Sequence, residues 1–153
     1  MNETRDQSLM LLALAEAQAA AEAGEVPVGA VIVDPASDTV IAAAGNAPIA
    51  GHDPTAHAEI RAIRMAAEKR GNYRLSGLEL FVTLEPCAMC AGAISFARIG
   101  RVVFGAADEK GGAVLHGPRF FEQPTCHWRP EIVSGVLAGE SSDLLRTFFR
   151  TRR

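Results

Sequence analysis

Leu78-Glu79-Leu80-Phe81-Val82-Thr83-Leu84-Glu85-Pro86-Cys87-Ala88-Met89-Cys90 carries the reading of the fold. Seven mostly apolar residues, rich in β-branched and aromatic types, read as a buried strand over 78–84. Glu85-Pro86 then opens a helix, because proline suits the first helical position, and that helix runs to about Ala97. Working outward, Pro27–Val33 and Val40–Ala44 read as strands joined by the turn Asp34-Pro35-Ala36-Ser37-Asp38. Residues 5–23, Ala- and Leu-rich without Gly or Pro, read as a helix stopped at Gly24. Asn46–Pro54 reads as a loop, and Thr55 as the N-cap of a helix running to about Lys69. Arg101–Gly105 is a fourth strand, Glu131–Ser134 a short fifth, and Ser141–Arg150 a closing helix, while 106–130 carries no clear pattern. Strands alternating with helices imply an α/β fold whose sheet is covered on both faces.

With 153 residues, the chain has the length of about one domain. Its 48% hydrophobic and 22% charged residues exclude a disordered or collagen-like chain. No apolar run approaches the roughly 18 residues that span a bilayer. An N-terminus with acids beside its one Arg lacks the basic start of a signal peptide, so a cytoplasmic location is expected. Three cysteines are too few for a disulfide scaffold and suit metal or catalytic chemistry in a reducing compartment.

The net charge of −3 argues against a general nucleic-acid coat. Residues 144–153 nevertheless hold Arg146, Arg150, Arg152 and Arg153 and no acid, with Phe148 and Phe149 among them. Such an end either stacks single-stranded bases and meets a few phosphates, or is a helix with a core-facing Phe pair and solvated arginines.

Two short stretches carry the chemistry: Thr55-Ala56-His57-Ala58-Glu59 and Glu85-Pro86-Cys87-Ala88-Met89-Cys90. Cysteines three apart in a first helical turn share a face and can grip one metal ion, and the helix N-terminus favours the thiolate that a metal needs. A redox pair has the same spacing. A structural zinc site would need a fourth ligand, for which Cys126 or His127 are the candidates. His57 and Glu59 point apart on a helix but can both act on a site beyond its end. With His57, Cys87 and Cys90 as three ligands, a fourth position stays open for water, the arrangement of a catalytic zinc. Glu59 is then the general base and proton carrier rather than a ligand. Met89 reads as core packing.

The conjunction of His-x-Glu with Pro-Cys-x-x-Cys resembles the cytidine deaminase-like superfamily. The chain more closely resembles the bacterial tRNA-specific adenosine deaminase family over about residues 8 to 152. The resemblance is carried by the zinc motifs together with Glu25-Val26-Pro27-Val28-Gly29-Ala30-Val31, Asn46, His52-Asp53-Pro54, Asn72-Tyr73-Arg74-Leu75, Ile99–Ala106 and Phe148-Phe149-Arg150. It implies a three-layer α-β-α domain spanning 1–153, with a mixed five-stranded sheet and helices on both faces. It implies one Zn2+ per subunit on His57, Cys87 and Cys90, with Glu59 shuttling protons. Asn46 matches the position that hydrogen-bonds the target purine, the Ala58 N–H one that holds the base, and Val28 a pocket wall. Asp108 and Lys110 match positions touching ribose and phosphate, and Phe149, Arg152 and Arg153 a C-terminal helix packed on the anticodon loop. The chain departs from the family's best-known members over Gly111–Pro130.

The implied activity is hydrolytic deamination of adenosine to inosine at the wobble position of a tRNA anticodon loop. The partners it implies are the anticodon stem-loop and a second copy of the chain, with no membrane and no DNA. A deaminase of a free base or nucleoside, of guanine or cytosine type, would share the zinc motifs. A non-catalytic zinc-stabilised RNA-binding module is a third reading, opposed by the open coordination position and by Glu59.

Overall fold

A computed structural model describes residues 3–152. Five strands form one sheet in the order β2-β1-β3-β4-β5: β1 is Gly29–Asp34, β2 Thr39–Gly45, β3 Glu79–Leu84, β4 Arg101–Ala106 and β5 Glu131–Val133. β1 runs antiparallel to both β2 and β3, whereas β3, β4 and β5 are parallel. The expected mixed five-stranded sheet is therefore present, and the C-terminal ends of the parallel strands share one edge.

Strand alternation divides the core into two layers. Ala30, Ile32, Leu80, Val82, Val102 and Phe104 point to one face, where α3 (Ala58–Arg70) and α4 (Ala88–Ala97) cover them. Val31, Val33, Phe81 and Val103 point to the other, against Met10 and Ala13 of α1 (Arg5–Glu22), with α5 (Ala138–Thr151) beside it over β4. α1 opens on a full capping box: Thr4 accepts from the Gln7 amide while the Gln7 side chain accepts from the Thr4 amide. It then lies so close to the sheet that only glycine fits beneath it. A Cβ on Gly29 would stand 2.0 Å from the Ala13 carbonyl oxygen, and one on its cross-strand partner Gly45 would stand 2.7 Å from that of Glu16.

The structure moves several expected boundaries. The helix assigned to Thr55 as N-cap starts later: Thr55 gives both its amide and its hydroxyl to Asp53 Oδ1, and His57 holds the N-cap position of α3. Likewise Pro86 lies outside α4, and Cys87 is its N-cap. Within the expected loop, Pro48–Gly51 forms a short helix, α2, because the buried Glu25 carboxylate accepts the amides of Ile49 and Ala50. Of the unread stretch, Ala106 closes β4, and the rest is loop except for one 3-10 turn, Phe120–Glu122. No described helix is long and apolar enough to cross a membrane.

Candidate metal and catalytic centre

Two helix starts converge at the C-terminal end of β3. His57 and Cys87 occupy the N-caps of α3 and α4 in extended backbone conformation, and Cys90 lies one turn into α4. His57 Nδ1 is 3.7 Å from Cys87 Sγ and 3.6 Å from Cys90 Sγ, and all three ligand atoms lie within 4.8 Å of one another. A tetrahedral zinc with bonds of about 2.05 Å to nitrogen and 2.3 Å to sulfur requires ligand atoms about 3.6–3.8 Å apart. The donor set therefore suits Zn2+, and both nitrogen–sulfur spacings match it. Cys126 joins neither the cluster nor a disulfide: its Sγ sits against Ser95 Oγ and the Trp128 carbonyl. His127 is exposed on the loop beside it and is not part of the cluster.

The electrostatics prepare the sulfurs. The neighbouring Cys90 thiol draws the Cys87 pKa down to about 5, against burial and with help from nearby amides and His57. The Cys87 sulfur, burial and the negative charge of Glu59 push the Cys90 thiol up in turn. One proton must therefore leave when a metal takes both sulfurs. Glu59, on the first turn of α3, is only 4% exposed. Burial raises its carboxyl to about 7, partly countered by its own amide and reinforced by the Cys87 thiolate. That places a proton acceptor near neutrality beside the metal position.

The structure also locates the remaining predicted residues. Asn46 Oδ1 accepts the Ala58 N–H at 2.8 Å, which fixes the Asn46 amide with its NH2 as the group left to donate. The Ala58 donor assigned by resemblance to the base is thus engaged by Asn46. Val28 is buried in the core layer that includes Ala58. Asp108 Oδ1 accepts the amides of Lys110 and Gly111, folding the turn that carries the exposed Lys110. The Phe pair splits: Phe148 is buried, whereas Phe149 is half exposed. Phe149 and Arg152 line a groove of about 410 Å³ with Asn46, Pro48 and Ile49. Arg153 lies outside the described residues. Met89 is not core packing but stands exposed on the outer face of α4.

Sequence reasoning passed over Glu85. Its side chain is fully buried, and burial alone would raise its pKa. The amides of Asp108, Leu115 and Val114 together with the His116 ring outweigh that effect and hold it below the usual carboxylate value. An acid at the end of an apolar strand, directly before Pro-Cys, was the available signal.

Residues 3–106 match the cytidine and deoxycytidylate deaminase zinc-binding region. The chain is 57% identical to a tRNA-specific adenosine deaminase of Agrobacterium fabrum, covering 94% of this chain and 93% of that one. The chain belongs to the tRNA-specific adenosine deaminase family. A second member, from Haemophilus influenzae, is 50% identical over 97% of this chain and 85% of its own length. A solved structure from studies of A-to-I editing by tRNA:A34 deaminases at the wobble position superposes with a TM-score of 0.88. It is 56% identical and covers 90% of this chain and 99% of that one. Membership makes the protein a zinc-dependent deaminase with the cytidine deaminase-like fold.

Proposed function

We propose that this chain is a single-domain hydrolase converting adenosine to inosine at the wobble position of a tRNA anticodon loop, with one Zn2+ on His57, Cys87 and Cys90 and Glu59 as the proton carrier. The carrying observation is the buried Glu59 carboxyl beside three metal-ligating atoms, with no fourth protein ligand among the described residues. Zinc supplies Lewis acidity that brings the pKa of a water at that corner towards neutrality.

Glu59 accepts the proton released as water adds to C6 of the purine. It delivers that proton to N1, and then carries the proton of the new C6 hydroxyl to the departing amine, which leaves as ammonia as the C6 carbonyl forms. Asn46, held by the Ala58 amide, presents its NH2 group to the base, and Val28 closes the pocket wall. Asp108 and Lys110 face ribose and phosphate. Phe149, with Arg152 and Arg153, meets the loop nucleotides by stacking and charge. A loop base is already unpaired, so turning it into the pocket costs only a few kcal/mol.

The second copy of the chain finds its surface on α4. Phe96 is 79% exposed and Met89 37%, seven residues apart and so on one helical face. An apolar stripe on the helix that carries Cys87 and Cys90 suits a homodimer whose interface borders the site. Free thiols at 87, 90 and 126 suit the reducing cytoplasm.

The test is to incubate the zinc-loaded protein with an anticodon stem-loop bearing adenosine at the wobble position and, separately, with free guanine, cytosine and adenosine. Inosine in the RNA is expected. Ammonia from a free base alone would assign the free-nucleobase activity instead, and ammonia from neither substrate would leave the non-catalytic module.

A further inference from the structure

The Glu85 carboxylate is the hub of the loop between β4 and the 3-10 turn. Oε1 accepts the Asp108 amide at 3.0 Å and bonds His116 Nδ1 at 2.8 Å. Oε2 accepts the amides of Val114, Leu115 and His116 at 3.1, 2.9 and 3.2 Å. The neighbouring Pro86 carbonyl takes the Ala113 amide at 2.9 Å. At Gly112 a Cβ would stand 2.5 Å from the Glu85 carboxyl carbon, so the loop is cut to fit this side chain. A segment without regular structure is thereby wrapped around an acid that belongs to the strand-to-helix turn bearing Cys87.

Four of the five donors are backbone amides, three of them on Oε2. The fifth is a side chain whose ring is 32% exposed. It shares Oε1 with the Asp108 amide alone. Because the carboxylate can only accept, Nδ1 carries the hydrogen. We propose that His116 is a positioning residue: by donating to Glu85 Oε1 it fixes the oxygen that seats the Asp108 amide, and so sets how Asp108 meets the RNA. The inference rests on the reading of Asp108 as an RNA contact. It assigns His116 an effect on substrate binding and none on the chemical step.

Steady-state deamination of the anticodon stem-loop tests it, with zinc content and Tm followed for every variant. His116→Ala is expected to raise KM about three- to tenfold, as loss of one charge-assisted hydrogen bond near the surface implies. Its kcat and zinc content should stay near the parent's, with a modest fall in Tm from the lost hydrogen bond to a buried charge. His116→Gln, which retains a side-chain N–H donor, should recover most of the KM. Asp108→Ala should raise KM as well, and the double variant should add little to it, because both changes act on one contact. A parental KM in His116→Ala beside a raised KM in Asp108→Ala overturns the inference while sparing the RNA contact. A parental KM in Asp108→Ala removes that contact and the inference with it. A fall of kcat together with Tm would make His116 merely structural and likewise overturn the proposal.

Discussion

Replacing Glu59 with glutamine separates catalysis from stability, because the side chain keeps its shape and loses its charge. In the metal-free protein the Glu59 carboxyl has a pKa of about 7 against an ordinary 4.5. That difference corresponds to about 3 kcal/mol at 1.36 kcal/mol per unit. The pKa is raised in the folded state, so folding favours the protonated acid. Its contribution is fully present below pH 4.5, declines as pH rises towards 7, and is lost above 7. Glutamine carries no such loss. Glu59→Gln should therefore stabilise the chelated protein by up to about 3 kcal/mol at pH 8, or about 6–12 °C in Tm for a domain of this size. The gain should shrink towards zero at pH 4.5. Inosine formation should fall by about 10²- to 10⁴-fold or more with loss of the proton carrier, while zinc content remains that of the parent. Single-turnover assays, metal analysis and thermal melts between pH 4.5 and 8.5 read all three. Parental turnover, or loss of metal, would refute Glu59 as a proton carrier outside the coordination shell. A lower Tm at pH 8 would refute the burial argument.

Cys87→Ser should lose zinc at micromolar free metal and melt at lower temperature than the zinc-loaded parent, since metal binding and folding are coupled; metal analysis and melts check it. Phe149→Ala should raise KM for the stem-loop by about 5- to 150-fold, as loss of roughly 1–3 kcal/mol of base stacking implies, with little change in Tm. Phe148→Ala should instead cost about 3–5 kcal/mol of stability, because that ring is the buried one, and denaturant titration would separate the two. Phe96→Asp should convert the proposed homodimer to monomer in sedimentation without loss of zinc, because it charges the exposed face of α4, and a parent that already sediments as a monomer would refute that interface.

Where periodicity and punctuation act locally, the chain was readable. All five strands were legible from β-branched runs and turns, and the ligand trio from spacing and residue type. The starts of α3 and α4 were misjudged by two residues for a chemical reason. Ligands occupy the N-caps, where serine, threonine or aspartate would normally signal a start, and Thr55 is diverted to Asp53. α2 and the 107–117 loop were illegible because their amides are satisfied by Glu25 and Glu85, acids distant in sequence. No window centred on either segment contains its cause. The roles of Phe148 and Phe149 were likewise undecidable from pattern, since adjacent rings on a helix face different surroundings.

The glycine pair beneath α1 bears on the residue that follows β2. Gly45 immediately precedes Asn46, and its seat under the Glu16 carbonyl fixes where β2 ends. Any methyl group introduced there must lift the N-terminal helix or drag the strand terminus, and Asn46 moves with the latter. The placement of Asn46, the residue proposed to meet the purine, is therefore registered through the N-terminal helix. Mutational tolerance along Ala13 to Ala20 should track fidelity of base recognition as well as robustness of the fold.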